Sequence, residues 1–164
     1  MSQRSSGWDN DFERALTDRG RHAASVIGAL LRDQGRIPSL VIHSAAHRAA
    51  ETWRRIAPEL RVEIPAIADD TFYLASPQHL FTTVTSTAEE HASVLIVGHN
   101  PGLHDLANVL VREGAREDIA RLRRSYPAGA LSEIQFDVDR WSELRPETGR
   151  LEWLVFPRDS QSDS

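Results

Sequence analysis

Two short, uninterrupted apolar segments constrain the fold of this chain more than any other feature. Residues 39–43 and 93–97 are rich in β-branched side chains and are too short to be buried helices. Strands that are apolar along their whole length are typical of parallel sheets, because both faces of such sheets are covered. Helical patterns flank each segment, so the sequence predicts a three-layer α/β domain with a largely parallel central sheet.

The remaining pattern completes this α/β prediction. Helices are predicted at residues 16–34, 47–57, 77–90, 103–113 and 118–124. Thr17 and Gly35 are expected to cap the first helix, and Pro58 is expected to end the second. A short strand is predicted at residues 61–64, an irregular stretch follows through residue 75, and two late strands at 133–138 and 151–156 need not be parallel to the rest.

The length and composition narrow the class of protein. The 164 residues fit one domain over 1–157, followed by a polar tail at 158–164 that is predicted to be disordered. The absence of cysteine excludes disulfides, thiolate metal sites and a cysteine nucleophile, and the absence of lysine excludes a Schiff base and a P-loop lysine. With a net charge of -5, no spanning apolar segment and no signal-peptide pattern, we expect a cytoplasmic protein without nucleic-acid or membrane partners.

Two loops carry the residues that could perform chemistry. Each follows an apolar strand and leads into a helix, one placing Arg48 and the other His99 near the helix start. Ligand sites in α/β sheets lie beyond the carboxyl ends of the strands, where helix N-termini favour anions. Arginine offers a planar fork for phosphate and histidine a proton donor near neutral pH, so the two loops together predict a small anion pocket.

Simpler interpretations stand beside this one. A lone arginine at a helix start is commonly a solvated surface residue, and a lone histidine in a loop is commonly a turn residue. The pairs His43/His47 and His99/His104 have spacings that could be called metal pairs, but no third ligand accompanies them. We therefore predict no metal site.

Four segments together carry a family resemblance over nearly the whole chain. In chain order they are FERALTDRGR at residues 12–21, SAAHRAAET at 44–52, TFYLASP at 71–77 and VGHNPG at 97–102. As an ordered set they resemble the histidine phosphatase superfamily, specifically the SixA-type phosphohistidine phosphatases. This resemblance implies a phosphoglycerate-mutase-like fold and hydrolysis of phosphohistidine or phosphomonoesters without a cofactor.

The resemblance also assigns roles to residues. Arg48 and His99 correspond to phosphate-binding residues of the family, and His99 is also catalytic. Ser44 and Asp70 are minor candidates for the same pocket, and either Asp69 or Asp70 could be a general acid. The implied substrate is a phosphorylated protein side chain or a small phosphoester, which transfers its phosphoryl group to a nucleophilic histidine.

The chain departs from the family pattern at its start. The family's nucleophile lies in an Arg-His motif that closes a first central strand, whereas here, aligned without gaps, Gln3 falls near the expected nucleophile and Arg4 follows. No apolar strand precedes Gln3 in this sequence, so the first family strand is expected to be absent. Three hypotheses stay open: a phosphatase whose Arg-His motif lies upstream, a non-catalytic relative that binds phosphate or a phosphoprotein, and a structural domain without a phosphate site.

Overall fold

The computed structural model describes residues 11–157 and confirms the mixed α/β class. The chain divides into two compact units. The first contains the described residues up to Tyr73 together with Leu95–Gly98, and the second contains Leu74–Val94 and the described residues from His99 onward. The predictions for Gln3, Arg4 and the first family strand, and the prediction of a disordered tail at 158–164, lie outside the described residues.

The regular elements alternate along the chain much as predicted. The helices are α1 (Asp18–Asp33), α2 (His47–Leu60), α3 (Pro77–Thr85), α4 (Gly102–Leu110) and α5 (Arg116–Arg124). The strands are β1 (Leu40–Ser44), β2 (Ala66–Asp69), β3 (Val94–Val97), β4 (Val111–Gly114), β5 (Leu131–Gln135) and β6 (Gly149–Val155). Short 3₁₀ helices form at Asp70–Phe72 and Trp141–Glu143.

A three-stranded parallel sheet in the order β2-β1-β3 forms the centre of the first unit. Every residue of β1 is buried, which confirms the prediction for the first apolar segment. The expectation that β3 is covered on both faces is wrong for the described residues, since β3 is half-buried along its length and ends the strand order. An uninterrupted apolar sequence indicated strand structure here but overestimated its burial.

Helices α1 and α2 pack closely against each other in the same unit. Thr17 caps α1 as predicted, its hydroxyl accepting a hydrogen bond from the Gly20 N–H. A Cβ atom at Gly28 would lie 2.8 Å from the Ile56 carbonyl oxygen, so only glycine lets the two backbones approach this far. The packing fixes α2, whose first turn contains Arg48.

The second unit contains a mixed sheet in the order β4-β6-β5. Strand β6 pairs in parallel with β4 and antiparallel with β5, which agrees with the expectation that the late strands need not follow one direction. A core of buried apolar residues lies beneath this sheet, made of Ala107, Val111, Leu122, Leu151 and Leu154. Leu122 is completely buried and ties α5 to the strands.

Two predictions around the end of α2 are wrong. Pro58 does not end the helix, which continues to Leu60, because proline removes only one hydrogen bond in the last turn and Leu60 is drawn into the core. No strand forms at residues 61–64, since Arg61 adopts a left-handed conformation that closes the helix. The strand lies instead at β2, inside the stretch predicted to be irregular, where its register with β1 begins at Val41 and Ala66.

Two helices are shorter than predicted. Helix α3 ends at Thr85 rather than near residue 90. At this end the hydroxyls of Thr85 and Ser86 donate hydrogen bonds to the Thr82 carbonyl and compete with further helical hydrogen bonds. Helix α4 ends at Leu110 rather than at residue 113, and the chain continues directly as β4. Val111 is β-branched and buried, so it is suited to open that strand.

Candidate functional site

The loop between β1 and α2 places Arg48 in the first turn of α2. The Ser44 hydroxyl is buried and accepts a hydrogen bond from the Ala46 N–H at 3.1 Å, which holds the turn. The Ala45 N–H donates to the Asp69 carbonyl at 3.1 Å, which fixes the loop to the end of β2. Ala46, the N-cap residue of α2, makes no side-chain hydrogen bond to the helix start, and the N–H groups of the first turn have the polarity that attracts anions.

Arg48 binds a carboxylate at this position. Its Nη1 donates to the Asp11 backbone carbonyl at 2.9 Å and to Asp11 Oδ1 at 3.2 Å, and its Nη2 donates to Oδ2 at 3.3 Å. The carboxylate therefore spans both terminal nitrogens of the guanidinium, in the paired geometry that arginine also uses for phosphate. Arg48 thus presents its fork to an oxyanion at the start of a helix.

Tyr73 holds the same carboxylate from a third direction. Its hydroxyl donates a short hydrogen bond to Asp11 Oδ2, and its ring contacts Phe12 edge-on with centroids 5.2 Å apart. The hydrogen bonds from Tyr73 and then Arg48 lower the pKa of Asp11 below its ordinary value. The Asp11 carboxylate in turn raises the pKa of Tyr73. Asp11 is therefore an anion at neutral pH.

Glu51 joins the first and second segments of the resemblance. This nearly buried carboxylate accepts from Arg21 Nε at 2.5 Å and from the Leu16 N–H at 3.1 Å. The Arg21 guanidinium is the main reason that the pKa of Glu51 lies below its ordinary value. The contact holds the segment that leads from Asp11 to α1 against the first turns of α2.

The two acidic candidates follow β2. Asp69 caps the 3₁₀ helix, its Oδ1 accepting from the Thr71 N–H at 2.8 Å and from the Thr71 hydroxyl at 2.5 Å. Asp70 is exposed at the first position of that helix. These contacts give Asp69 a structural role, and within residues 11–157 they assign neither residue a role in proton transfer.

His99 lies in the second unit, in the loop before α4. It is half-buried, and its carbonyl accepts from the Leu103 N–H at 3.0 Å. The next residue anchors the loop: Asn100 Nδ2 donates to the Tyr126 carbonyl at 2.6 Å, and its Oδ1 accepts from the His104 N–H at 3.3 Å. Stacking of the His104 and Tyr126 rings, with centroids 5.8 Å apart, completes this support.

The third and fourth segments of the resemblance meet at the start of α4. A Cβ atom at Gly102 would lie 2.4 Å from the carbonyl oxygen of Ala75, so glycine is required for this approach. The Pro-Gly of the fourth segment, which a tight turn alone would explain, therefore also serves packing between segments. This contact sets where α4 begins, three residues after His99.

The sequence identified the two loops but missed the partners of Arg48. Within the first unit the structure brings Arg48 together with Asp11 and Tyr73, and the sequence alone predicts a role for neither of these two residues. Tyr73 lies in the third segment of the resemblance, and Asp11 immediately precedes the first. Their position in or beside these segments is the sequence signal that could have pointed to them. In residues 11–157, no group of three or more His, Asp or Glu side chains could hold a metal ion, and no helix is long and apolar enough to cross a membrane.

Comparison with known sequences finds relatives whose function is uncharacterized. No family model matches the chain. It is 28% identical over 149 residues to uncharacterized protein ML1117 of Mycobacterium leprae, covering 90% of this chain and 89% of that protein. It is 25% identical over 150 residues to uncharacterized protein Rv1276c of Mycobacterium tuberculosis, covering 90% of this chain and 92% of the relative.

Solved structures decide the fold. A protein from Agrobacterium tumefaciens named for the phosphohistidine phosphatase SixA superposes with a TM-score of 0.74 at 23% identity, covering 96% of this chain and 90% of that one. The protein histidine phosphatase SixA complexed with tungstate superposes with a TM-score of 0.73 at 19% identity, covering 97% and 92%. This chain has the SixA fold. A similarly named protein from Nakamurella multipartitia agrees, with a TM-score of 0.72 at 22% identity and coverage of 90% and 87%.

Proposed function

We propose that this protein is a SixA-type phosphatase that acts on phosphohistidine or phosphomonoester groups, with Arg48 and His99 as phosphate ligands. The observation that carries the proposal is the paired contact of Arg48 with a carboxylate at the start of α2. A phosphoryl group presents similar oxygens with more charge, so a guanidinium in this position suits phosphate. The SixA fold supports the same assignment.

The chemistry follows from phosphoryl transfer in general. In the mechanism that the resemblance implies, the histidine of the family's Arg-His motif would attack phosphorus while the bond to the leaving group breaks, and water would then cleave the phosphorus–nitrogen bond to release inorganic phosphate. No histidine of this sequence is assigned this role. Arg48 would balance charge on the equatorial oxygens, and His99 would donate a hydrogen bond to them and act in catalysis. Ser44 would support the loop, while Asp69 or Asp70 would be the proton donor to the leaving group. No metal or organic cofactor is needed for these steps.

A second candidate is a relative that binds phosphate or a phosphoprotein without cleaving it. It is favoured by the start of the sequence, where, aligned without gaps, Gln3 falls near the expected nucleophile, and an amide cannot form a phosphohistidine. Loss of a nucleophile can reduce turnover by about 10⁶, while the remaining ligands still bind the anion. The substrate class would be the same phosphorylated side chain or small phosphoester.

Hydrolysis and binding assays on the same preparation distinguish these candidates. Release of phosphate should be measured from a phosphohistidine-containing protein and from a small aryl phosphate, alongside calorimetric titration with inorganic phosphate. Hydrolysis that Arg48→Ala and His99→Ala both suppress supports the phosphatase. Saturable phosphate binding without hydrolysis, weakened by the same substitutions, supports the binding protein. If the protein neither hydrolyses these substrates nor binds phosphate, both candidate functions are refuted.

A further inference from the structure

We infer that Asp11 is an internal competitor for the phosphate site, so that its carboxylate must leave Arg48 before a phosphoryl group binds there. The inference rests on the proposed function and concerns the regulation of the same site. It starts from the observation that the terminal fork of Arg48 is already engaged by a side chain of its own chain.

The geometry makes the two anions exclusive at this fork. Nη1 of Arg48 has two N–H groups, and one donates to the Asp11 carbonyl while the other donates to Oδ1. Nη2 donates to Oδ2, so Asp11 occupies both terminal nitrogens at once. A phosphate that binds the same two nitrogens must displace the carboxylate.

Electrostatics acts in the same direction. Asp11 is ionised at neutral pH, and its charge offsets that of Arg48 where a phosphate would need it. A carboxylate that stayed beside the fork would also repel an incoming dianion. Both effects lower the affinity for phosphate while Asp11 is in place.

The contact is built to hold Asp11 and yet to release it. The Tyr73 hydroxyl and the hydrogen bond from Arg48 to the Asp11 backbone carbonyl position the carboxylate. The side chains of Asp11 and Arg48 nevertheless remain 39% and 30% exposed, respectively. Partly exposed ion pairs are screened by solvent and are weak, so a ligand with more charge can replace the carboxylate. A phosphorylated protein that contacts the surrounding surface would therefore open the site as it binds.

The test is the dissociation constant for inorganic phosphate, measured by calorimetry on the full chain. Asp11→Asn keeps the size of the side chain and removes its charge, and it should bind phosphate about fivefold more tightly than the wild type. Tyr73→Phe removes one hydrogen bond to Asp11 and should give a smaller increase in affinity. Asp33→Asn is the matched control, since Asp33 pairs with Arg32 on the surface and its loss should leave the affinity unchanged.

Each outcome separates this inference from the proposed function. If Arg48→Ala weakens binding while Asp11→Asn binds no better than the wild type, Asp11 does not compete and the inference is wrong. If Arg48→Ala leaves the dissociation constant for phosphate unchanged both in the wild type and in the Asp11→Asn variant, Arg48 is not a phosphate ligand and the proposed function fails. Should Asp11→Asn not fold, unchanged or weaker binding by Tyr73→Phe overturns the inference, and tighter binding supports it.

Discussion

Replacing Gly28 with alanine should weaken the packing of α1 against α2. A Cβ atom there would lie 2.8 Å from both the Ile56 carbonyl oxygen and Glu59 Cβ. Non-bonded heavy atoms prefer about 3.5–4.0 Å, so the helices would have to separate by roughly 0.7 Å. Overpacking costs about 1–3 kcal/mol, whereas alanine gains about 1 kcal/mol in helix propensity. We expect the free energy of unfolding to fall by up to about 2 kcal/mol.

Urea unfolding of the purified variants measures this difference. Gly20→Ala is the matched control in the same helix, because its Cβ would meet first the end of the flexible Leu16 side chain at 3.1 Å. That substitution should leave stability unchanged or slightly raised. Since α2 contains Arg48, Gly28→Ala should also weaken phosphate binding. A Gly28→Ala protein as stable as the Gly20→Ala protein would refute the packing argument.

The remaining predictions concern two sets of contacts made by the segments of the resemblance: those of Glu51 and those of Asn100. Glu51→Gln should be less stable than the wild type in urea near neutral pH, and the difference should shrink as the pH falls below about 4. The reason is that the pKa of Glu51 is lowered in the folded protein, so its ionised carboxylate stabilises the fold and this contribution is lost on protonation. A pH-independent difference would contradict this cause. Asn100→Ala removes the link to Tyr126 and His104, so calorimetry should show several-fold weaker phosphate binding, with unfolding free energy changed by less than about 1 kcal/mol. Unchanged affinity would show that the link does not position His99.

The local pattern of apolar and capping residues correctly predicted the elements whose structure is decided by residues close to them in the chain. β1 begins with three apolar residues and is buried along its whole length, and α1 begins after its capping threonine, so both follow from neighbouring residues. The errors arose where tertiary packing decided the outcome. Leu60 extends α2 past Pro58, and Val111 starts a strand within an apparently helical sequence because it pairs with β6.

The candidate site divides in the same way. Arg48 could be predicted because a strand, a turn and a helix start are all encoded within a few residues of it. Asp11 could not, since it lies 37 residues from Arg48 and the contact depends on how α1 and α2 pack. Glu51 belonged to a recognised segment, but its buried bonds to Arg21 and Leu16 appear only once the chain is folded.

The central claim is that Arg48 and His99 hold a phosphoryl group. Titration with tungstate, a tetrahedral oxyanion, tests it most directly, because this measurement requires no turnover. The account predicts saturable binding by the wild type and at least about tenfold weaker binding by both Arg48→Ala and His99→Ala, as expected when a charge-assisted ligand is lost. Absence of saturable binding, or affinity unchanged in both variants, would contradict it.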